Sequence, residues 1–348
     1  MNITFFIGNG FDIQSGLKTS YSNFYDYLNK ELKWVEIGWP LNNEISEDPE
    51  TWADFELALG KITEKEEILA NHKDLYDSID DFKSVFASYL QDEEKKLDID
   101  FKDEAIQNSF LSTFRNFHSD LQPGEKVKFN SRLNLHETWT YNVITFNYTS
   151  LFKEIYEKLP SKLGEHSLGN RTYHKNKGVF MDIHGTHQLD MLLGVNDHSQ
   201  FSSKLHEIDD ESSFVLVKDI TNTELRNTKK ETATELIHKS NVMCIFGMSL
   251  GATDKMWWDL IGGRLLSDKS TQLVIFAYEG VNRGTSTRKI INMRKKWEKL
   301  FLSHLEVSEE AEEDLLDRIF ICIDSNNIFR LPEKTKDLIS SNAQNAHN

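Results

Sequence analysis

Asn2-Ile-Thr-Phe-Phe-Ile7 runs straight into Gly8-Asn9-Gly10-Phe11-Asp12. An apolar run that breaks into Gly-x-Gly reads as a buried strand, a tight turn and the start of a helix. The glycines reach backbone conformations that other residues avoid and let the main chain approach a phosphate closely. Amides at the start of the next helix can then face an anion. The same turn also serves a protein with no ligand as a plain strand-to-helix connection. The dinucleotide fingerprint is incomplete, because Ile13 stands where a third glycine belongs. Gly16-Leu-Lys-Thr19 imitates a phosphate-binding loop, but Leu17 separates its glycine from its lysine.

Working outward, similar apolar runs recur at residues 142–146, 179–183, 191–195, 242–246, 273–277 and 319–323. Several are continuous rather than alternating, as in strands covered on both faces. Helical segments lie between many of them, which predicts an α/β class with a Rossmann-like parallel sheet flanked by helices. Residues 21–33, 52–68, 75–97 and 104–117 carry apolar side chains at helical spacing, for example Phe82, Phe86 and Leu90. They predict a large helical insertion, 21–135, after the first strand. It would sit beside or over the nucleotide face and supply gating or oligomer contacts. Residues 1–20 and 136–333 then form the Rossmann-like nucleotide-binding domain, and 334–348 a polar C-terminal tail. Residues 196–210 read as a polar loop. Asp54 and Glu56 read as first-turn carboxylates of a helix, or as residues closing the site.

The formal net charge of −16 argues against a sequence-independent nucleic-acid binder, which needs positive surface. The basic run 288–299 reads as the solvated face of a helix. Cys244 and Cys322 lie inside apolar runs and read as buried thiols. There is no signal-peptide pattern and no apolar run long enough to span a bilayer, so a soluble, cytoplasmic protein without membrane contact is expected.

Polar residues stand out at four strand ends. These are the 8–12 turn, Thr145-Phe-Asn147-Tyr148-Thr149, Asp182-Ile-His184-Gly185, and Gly247-Met-Ser249-Leu-Gly251-Ala-Thr253-Asp254. Ligands of open parallel sheets bind beyond the carboxyl ends of the strands, so the four clusters should share one site. Asp12 either bonds a ribose hydroxyl or caps the helix, and Asp254 is either a helix cap or a ribose contact. His184 and His187 could pair on a metal, but no third ligand has suitable spacing. Trp257 and Trp258 read as core.

These residues carry a resemblance. Ile7-Gly-Asn-Gly-Phe-Asp12, Gly16-Leu-Lys-Thr-Ser-Tyr21, Trp52-Ala-Asp-Phe-Glu56, Thr145-Phe-Asn-Tyr148, His184-Gly185 and the 246–254 segment with Trp257-Trp258 resemble the bacteriophage abortive-infection AbiH family. That family is similar to sirtuin-like NAD-binding proteins of antiviral defence. The resemblance implies Asn147 and His184 as catalytic residues. It implies Gly8, Asn9, Gly10, Asp12, Thr145, Gly247, Ser249 and Asp254 as nucleotide-binding residues, with no metal. The Thr-x-Asn-x-Asp motif of sirtuin-like folds ends here in Thr149, and two isolated cysteines cannot supply the four-cysteine zinc site of the deacetylases.

The implied activity is an abortive-infection effector that hydrolyses NAD to nicotinamide and ADP-ribose, with no cofactor beyond NAD as substrate. Nicotinamide leaves as a neutral base, so the site must orient the ribose, place a water and tolerate an oxocarbenium-like transition state. Asn147 both donates and accepts, His184 can hold a hydroxyl or take a proton, and the glycine turn can hold pyrophosphate. Such an activity must be silent without infection, so a phage-derived trigger, a partner protein or homo-oligomer assembly is expected. Two rivals are a nucleotide-binding sensor without turnover and a nuclease effector.

Overall fold

The computed structural model describes residues 1–280, 287–305, 307–325 and 327–332. The predicted tail therefore lies outside the described residues. Seven strands form one sheet: β1 (Asn2–Ile7), β2 (Trp139–Thr145), β3 (Lys162–Leu168), β4 (Arg171–Asp182), β5 (Val242–Phe246), β6 (Gln272–Ala277) and β7 (Ile319–Ile323). Their order is β3-β4-β2-β1-β5-β6-β7. Every neighbouring pair is parallel except β3 with β4. Without that antiparallel edge strand the order is 3-2-1-4-5-6, the doubly wound arrangement, and the winding direction reverses between β1 and β5.

The continuous apolar strands are covered on both faces. Phe5 and Ile7 of β1 face a layer holding Phe110, Phe114, Phe129 and Phe152, from the helices Glu104–Asn116, Pro123–Ser131 and Leu151–Lys158. Phe6, between them in sequence, faces Ile237, Trp258, Phe301 and Leu315, from the helices Lys229–Lys239, Lys255–Ser267, Thr287–Leu302 and Glu309–Leu316. Trp257 and Trp258 are core residues of this second layer, and Cys244 and Cys322 are buried in the first. The basic run lies on Thr287–Leu302, where Arg294 pairs with Glu125 and Lys296 with Glu279.

A third core belongs to the helices Tyr21–Lys30, Leu41–Glu47, Phe55–Ile62 and His72–Lys95, with Phe24, Phe55, Phe82 and Phe86 at its centre. The helices of residues 21–135 thus divide between two cores, since those from 104 onward pack on the sheet. Two expectations need correction. Residues 191–195 form no strand; Leu193 and Val195 enter the third core, and Val195 makes only an isolated bridge to Val217. Short apolar runs do not distinguish a buried strand from other buried chain. Residues 196–210 are not simply a polar loop either. They hold a 3-10 turn, His198–Gln200, and the helix Ser203–Ile208, with Phe201 and Leu205 buried in the same core. The hairpin of β3 and the first half of β4 carries few apolar residues and is largely exposed, so its sequence lacks the apolar-run signal. Among the described residues no helix is long and apolar enough to cross a membrane.

Candidate functional site

The strand ends sort into two cavities and one closed contact. The closed contact is the glycine turn. Gly8 N–H donates to Phe246 O at 2.9 Å and Gly10 N–H donates to Gly247 O at 2.8 Å. Gly247 has φ +71°, and a Cβ on Gly10 would lie 2.5 Å from the Gly247 Cα. The glycines therefore let the turns after β1 and β5 touch at the switch point, and those two amides bond to main chain. Thr145 is similarly internal: its hydroxyl donates to Ile7 O at 3.3 Å and accepts from Asn147 N–H at 3.2 Å. Ser249 is exposed and lines neither cavity.

The first cavity, of about 190 Å³, is lined at its polar end by Asn9, Asp12, Thr19, Asn147 and Thr149. Its other walls include Tyr21, Phe86, Leu90 and Tyr148. Asn9 is held by Thr19, whose hydroxyl donates to the Asn9 amide oxygen while Asn9 Nδ2 donates to Thr19 O at 3.1 Å. Asp12 is 1% exposed. Its Oδ2 accepts from the Thr149 hydroxyl at 2.7 Å, whereas Oδ1 has no hydrogen-bond partner among the described residues. Asp12 thus caps no helix; Asn9 stands at the cap position. Asn147 is 3% exposed, and neither its Oδ1 nor its Nδ2 has a hydrogen-bond partner among the described residues. Buried polar atoms usually find partners, so three orphans on two residues that line one cavity are a functional signal.

Burial pushes the Asp12 carboxyl up to about 7. The Thr149 hydrogen bond opposes the rise, the Glu94 charge adds to it, and the neighbouring Asn147 amide opposes it without reaching hydrogen-bond geometry. Thr149 thus donates to a carboxyl supplied from the short helix that follows β1.

The second cavity is a recess of about 20 Å³ lined by His184, Lys218, Thr253, Asp254 and Trp257, among others. His184 Nε2 lies 3.3 Å from Asp254 Oδ1, Lys218 Nζ lies 2.8 Å from Asp254 Oδ1, and Lys218 Nζ lies 2.8 Å from Glu56 Oε2. Tyr148 Oη is 3.1 Å from Glu56 Oε1 and 2.9 Å from Leu192 O, so its one proton is shared between them. Burial pulls the Lys218 ammonium down, but Asp254 and Glu56 outweigh it and push the group up to about 12. Burial likewise opposes ionisation of Asp254, yet Lys218 and His184 hold its carboxyl well below the usual range. Asp254 makes no side-chain cap bond to the helix that follows it. Asp54 does cap, accepting from Leu57 N–H at 3.2 Å, whereas Glu56 is a buried ion-pair partner.

Asn9, Asp12 and Asn147 thus share a cavity, while His184 and Asp254 line the other one. His187 faces Glu94 rather than His184, and no group of three or more His, Cys, Asp or Glu side chains that could hold a metal occurs among the described residues. Glu94 and Lys218 were not singled out as site residues in the sequence; Thr149 was named in its strand-end cluster but given no role. Lys218 carried a weak signal, as a lysine closing the run Phe214-Val-Leu-Val217. Glu94 carried another, lying one turn beyond Leu90 in the stripe Phe82, Phe86, Leu90.

Fold and cavity together define a Rossmann-like α/β protein with orphaned polar groups at the carboxyl edge of its sheet. Comparison with protein families narrows this: the model for Bacteriophage abortive infection AbiH matches residues 4–276. The chain belongs to that family, and the match spans both cavities. Membership points to an abortive-infection role against bacteriophage. No curated protein matches the chain.

Proposed function

We propose that this chain acts in abortive infection by cleaving the bond between nicotinamide and ribose in NAD, at the Asp12–Asn147 cavity. The observation that carries the reading is the set of orphaned atoms, Asp12 Oδ1 with Asn147 Oδ1 and Nδ2, buried together beyond β1 and β2. Asn147 holds a ribose hydroxyl and the attacking water, donating from Nδ2 and accepting at Oδ1. Water oxygen bonds to the ribose anomeric carbon as the carbon–nitrogen bond breaks, and nicotinamide leaves with the bonding pair. The water proton passes to Asp12 Oδ1. A carboxyl pushed up to about 7 suits a base working near neutral pH.

Charge supports the same substrate end. Neither lysine nor arginine is among the lining residues, and aromatic walls face a carboxyl. A cationic nicotinamide ring and an oxocarbenium-like sugar are favoured there. At about 190 Å³ the cavity is smaller than the roughly 300–1,000 Å³ that encloses a drug-sized ligand, so it takes one end of a dinucleotide. His184, in the neighbouring recess, acts as a positioning residue through the Tyr148 ring, whose centroid lies 6.2 Å from its own. The wider likeness to sirtuin-like NAD proteins belongs to the same proposal.

A second reading is a nucleotide-binding regulator without turnover. It draws on the internal use of the Gly8 and Gly10 amides and on the engagement of His184 with Asp254. Nicotinamide release from NAD, followed by chromatography, separates the two. Asn147→Ala should abolish release with little loss of melting temperature, because no hydrogen bond to that side chain is broken. His184→Ala should lower release less than Asn147→Ala does. Release unchanged by Asn147→Ala removes the assignment, and no release from wild type under any trigger favours the regulator.

A further inference from the structure

A dinucleotide seated by its nicotinamide end needs a place for its phosphates, and the Gly8 and Gly10 amides are not free to supply it. They are bonded to the main chain at the end of β5 and in its turn, so a ligand would have to displace both bonds. The next amides along the same edge begin the helix Leu151–Lys158, immediately after Thr149 of the cavity wall. They too are occupied, but by a side chain. Glu94 Oε1 accepts from Ser150 N–H and, at 3.1 Å, from Leu151 N–H. The Ser150 hydroxyl stands at the cap position, makes no cap bond, and donates to Glu94 at 2.9 Å instead.

The Glu94 carboxylate comes from a different helix, His72–Lys95, whose Leu90 lines the cavity one turn earlier. His187 completes the surround. Its Nδ1 donates to Tyr148 O at 3.1 Å, and its side chain is 1% exposed with Nε2 aimed at Glu94 Oε2 from 3.5 Å. No hydrogen-bond partner satisfies that Nε2 among the described residues. Two main-chain amides and a hydroxyl donate to one carboxylate beside a cavity whose own polar atoms are orphaned, with the unpartnered His187 Nε2 3.5 Å from that carboxylate. This is the donor set of a phosphate site at a helix N-terminus.

We propose that this place binds a phosphoryl group of the nucleotide, and that Glu94 fills it in a self-inhibited state. The inference rests on the reading that a phosphorylated nucleoside is the substrate. Exchanging one anion for another leaves the local charge unchanged, so Asp12 experiences no added repulsion. Admission requires the end of the helix His72–Lys95 to move away, which would also open the cavity at Leu90. A trigger that draws on this helix therefore switches the site on.

The test uses the full chain as wild type, Glu94→Gln and Glu94→Ala, titrated calorimetrically with ADP-ribose and, separately, with inorganic pyrophosphate. Both variants should bind ADP-ribose at least tenfold more tightly than wild type, and adding His187→Gln to Glu94→Gln should remove most of the gain. Folded variants that bind no tighter than wild type overturn the proposal. Should Glu94→Ala fail to fold, Glu94→Gln decides alone, since its neutral amide holds the place less tightly than a carboxylate does. A gain for pyrophosphate without one for ADP-ribose overturns the nucleotide assignment. Nicotinamide release separates this proposal from the one it rests on. Tighter ADP-ribose binding with no release in any variant retains the phosphoryl place and removes NAD cleavage. Equal release from wild type and both variants retains cleavage and removes self-inhibition.

Discussion

Asp12 sits in an environment that disfavours its charge. It lies beside Asn147 and Thr149, holds one hydroxyl donor, and sits within the field of Glu94. A carboxyl moved from 3.8 to about 7 in the folded chain ionises at a cost to stability. The folded form binds the proton more tightly than the unfolded form, so stability is intact below pH 3.8 and falls as pH rises toward 7. Between pH 5 and pH 8 this one group should remove on the order of 3 kcal/mol. Asp12→Asn keeps an acceptor for Thr149 and should abolish that share of the decline. Urea unfolding at the two pH values measures it; parallel declines in wild type and variant would show that Asp12 ionises normally.

Between elements, Lys218 links the helical layer to the sheet edge. Its helix, Lys218–Glu224, brings the ammonium between Glu56 of Phe55–Ile62 and Asp254 at the start of Lys255–Ser267. Removing the cation leaves two buried carboxylates with only His184 beside Asp254 and the Tyr148 hydroxyl on Glu56. Lys218→Met should therefore destabilise the chain by about 3–5 kcal/mol at neutral pH. Adding Glu56→Gln and Asp254→Asn to Lys218→Met should restore most of the loss, because no unpaired charge then remains. Denaturant midpoints for the single and triple variants at pH 7 check the sign; a triple variant no more stable than the single one would assign the loss to packing.

Across the whole molecule, two cores clothe the sheet and a third holds the helical layer. Phe82 sits in the third, stacked on Phe55 with ring centroids 4.0 Å apart and edge-on to Phe24 at 5.3 Å. Phe82→Ala should cost about 3–5 kcal/mol. Since its cluster is distinct from those on the sheet, the loss should be local. Hydrogen exchange should show the helices Tyr21–Lys30 and Phe55–Ile62 opening while β1 and β2 keep their protection. Uniform loss of protection would mean the three cores unfold as one.

Legibility in the sequence follows from how far apart the interacting residues lie. β5 and β7 have the bounds their apolar runs predict, because every residue in them is buried on one face or the other. β3 escaped notice because its pairing uses main-chain bonds, which leave no mark on residue type in an exposed hairpin. Residues 191–195 misled because burial alone leaves the same apolar trace in a helical core as in a sheet. Asn147, Asp12 and His184 were visible as polar residues closing apolar strands. Their division between two cavities was not, because it depends on how the chain turns after each of three separate strands ends.

The order of residues by itself determined the strand-and-turn unit at the start, the α/β class and the family, since these depend on local patterning of apolar side chains and glycine. Only the tertiary structure decided which polar groups have partners. Lys218 meets Glu56 across 162 positions of chain, and Glu94 reaches Ser150 across 56. Electrostatic and hydrogen-bond energies fall off within a few ångströms, so the chemistry of these residues depends on where folding places them rather than on their neighbours in the chain.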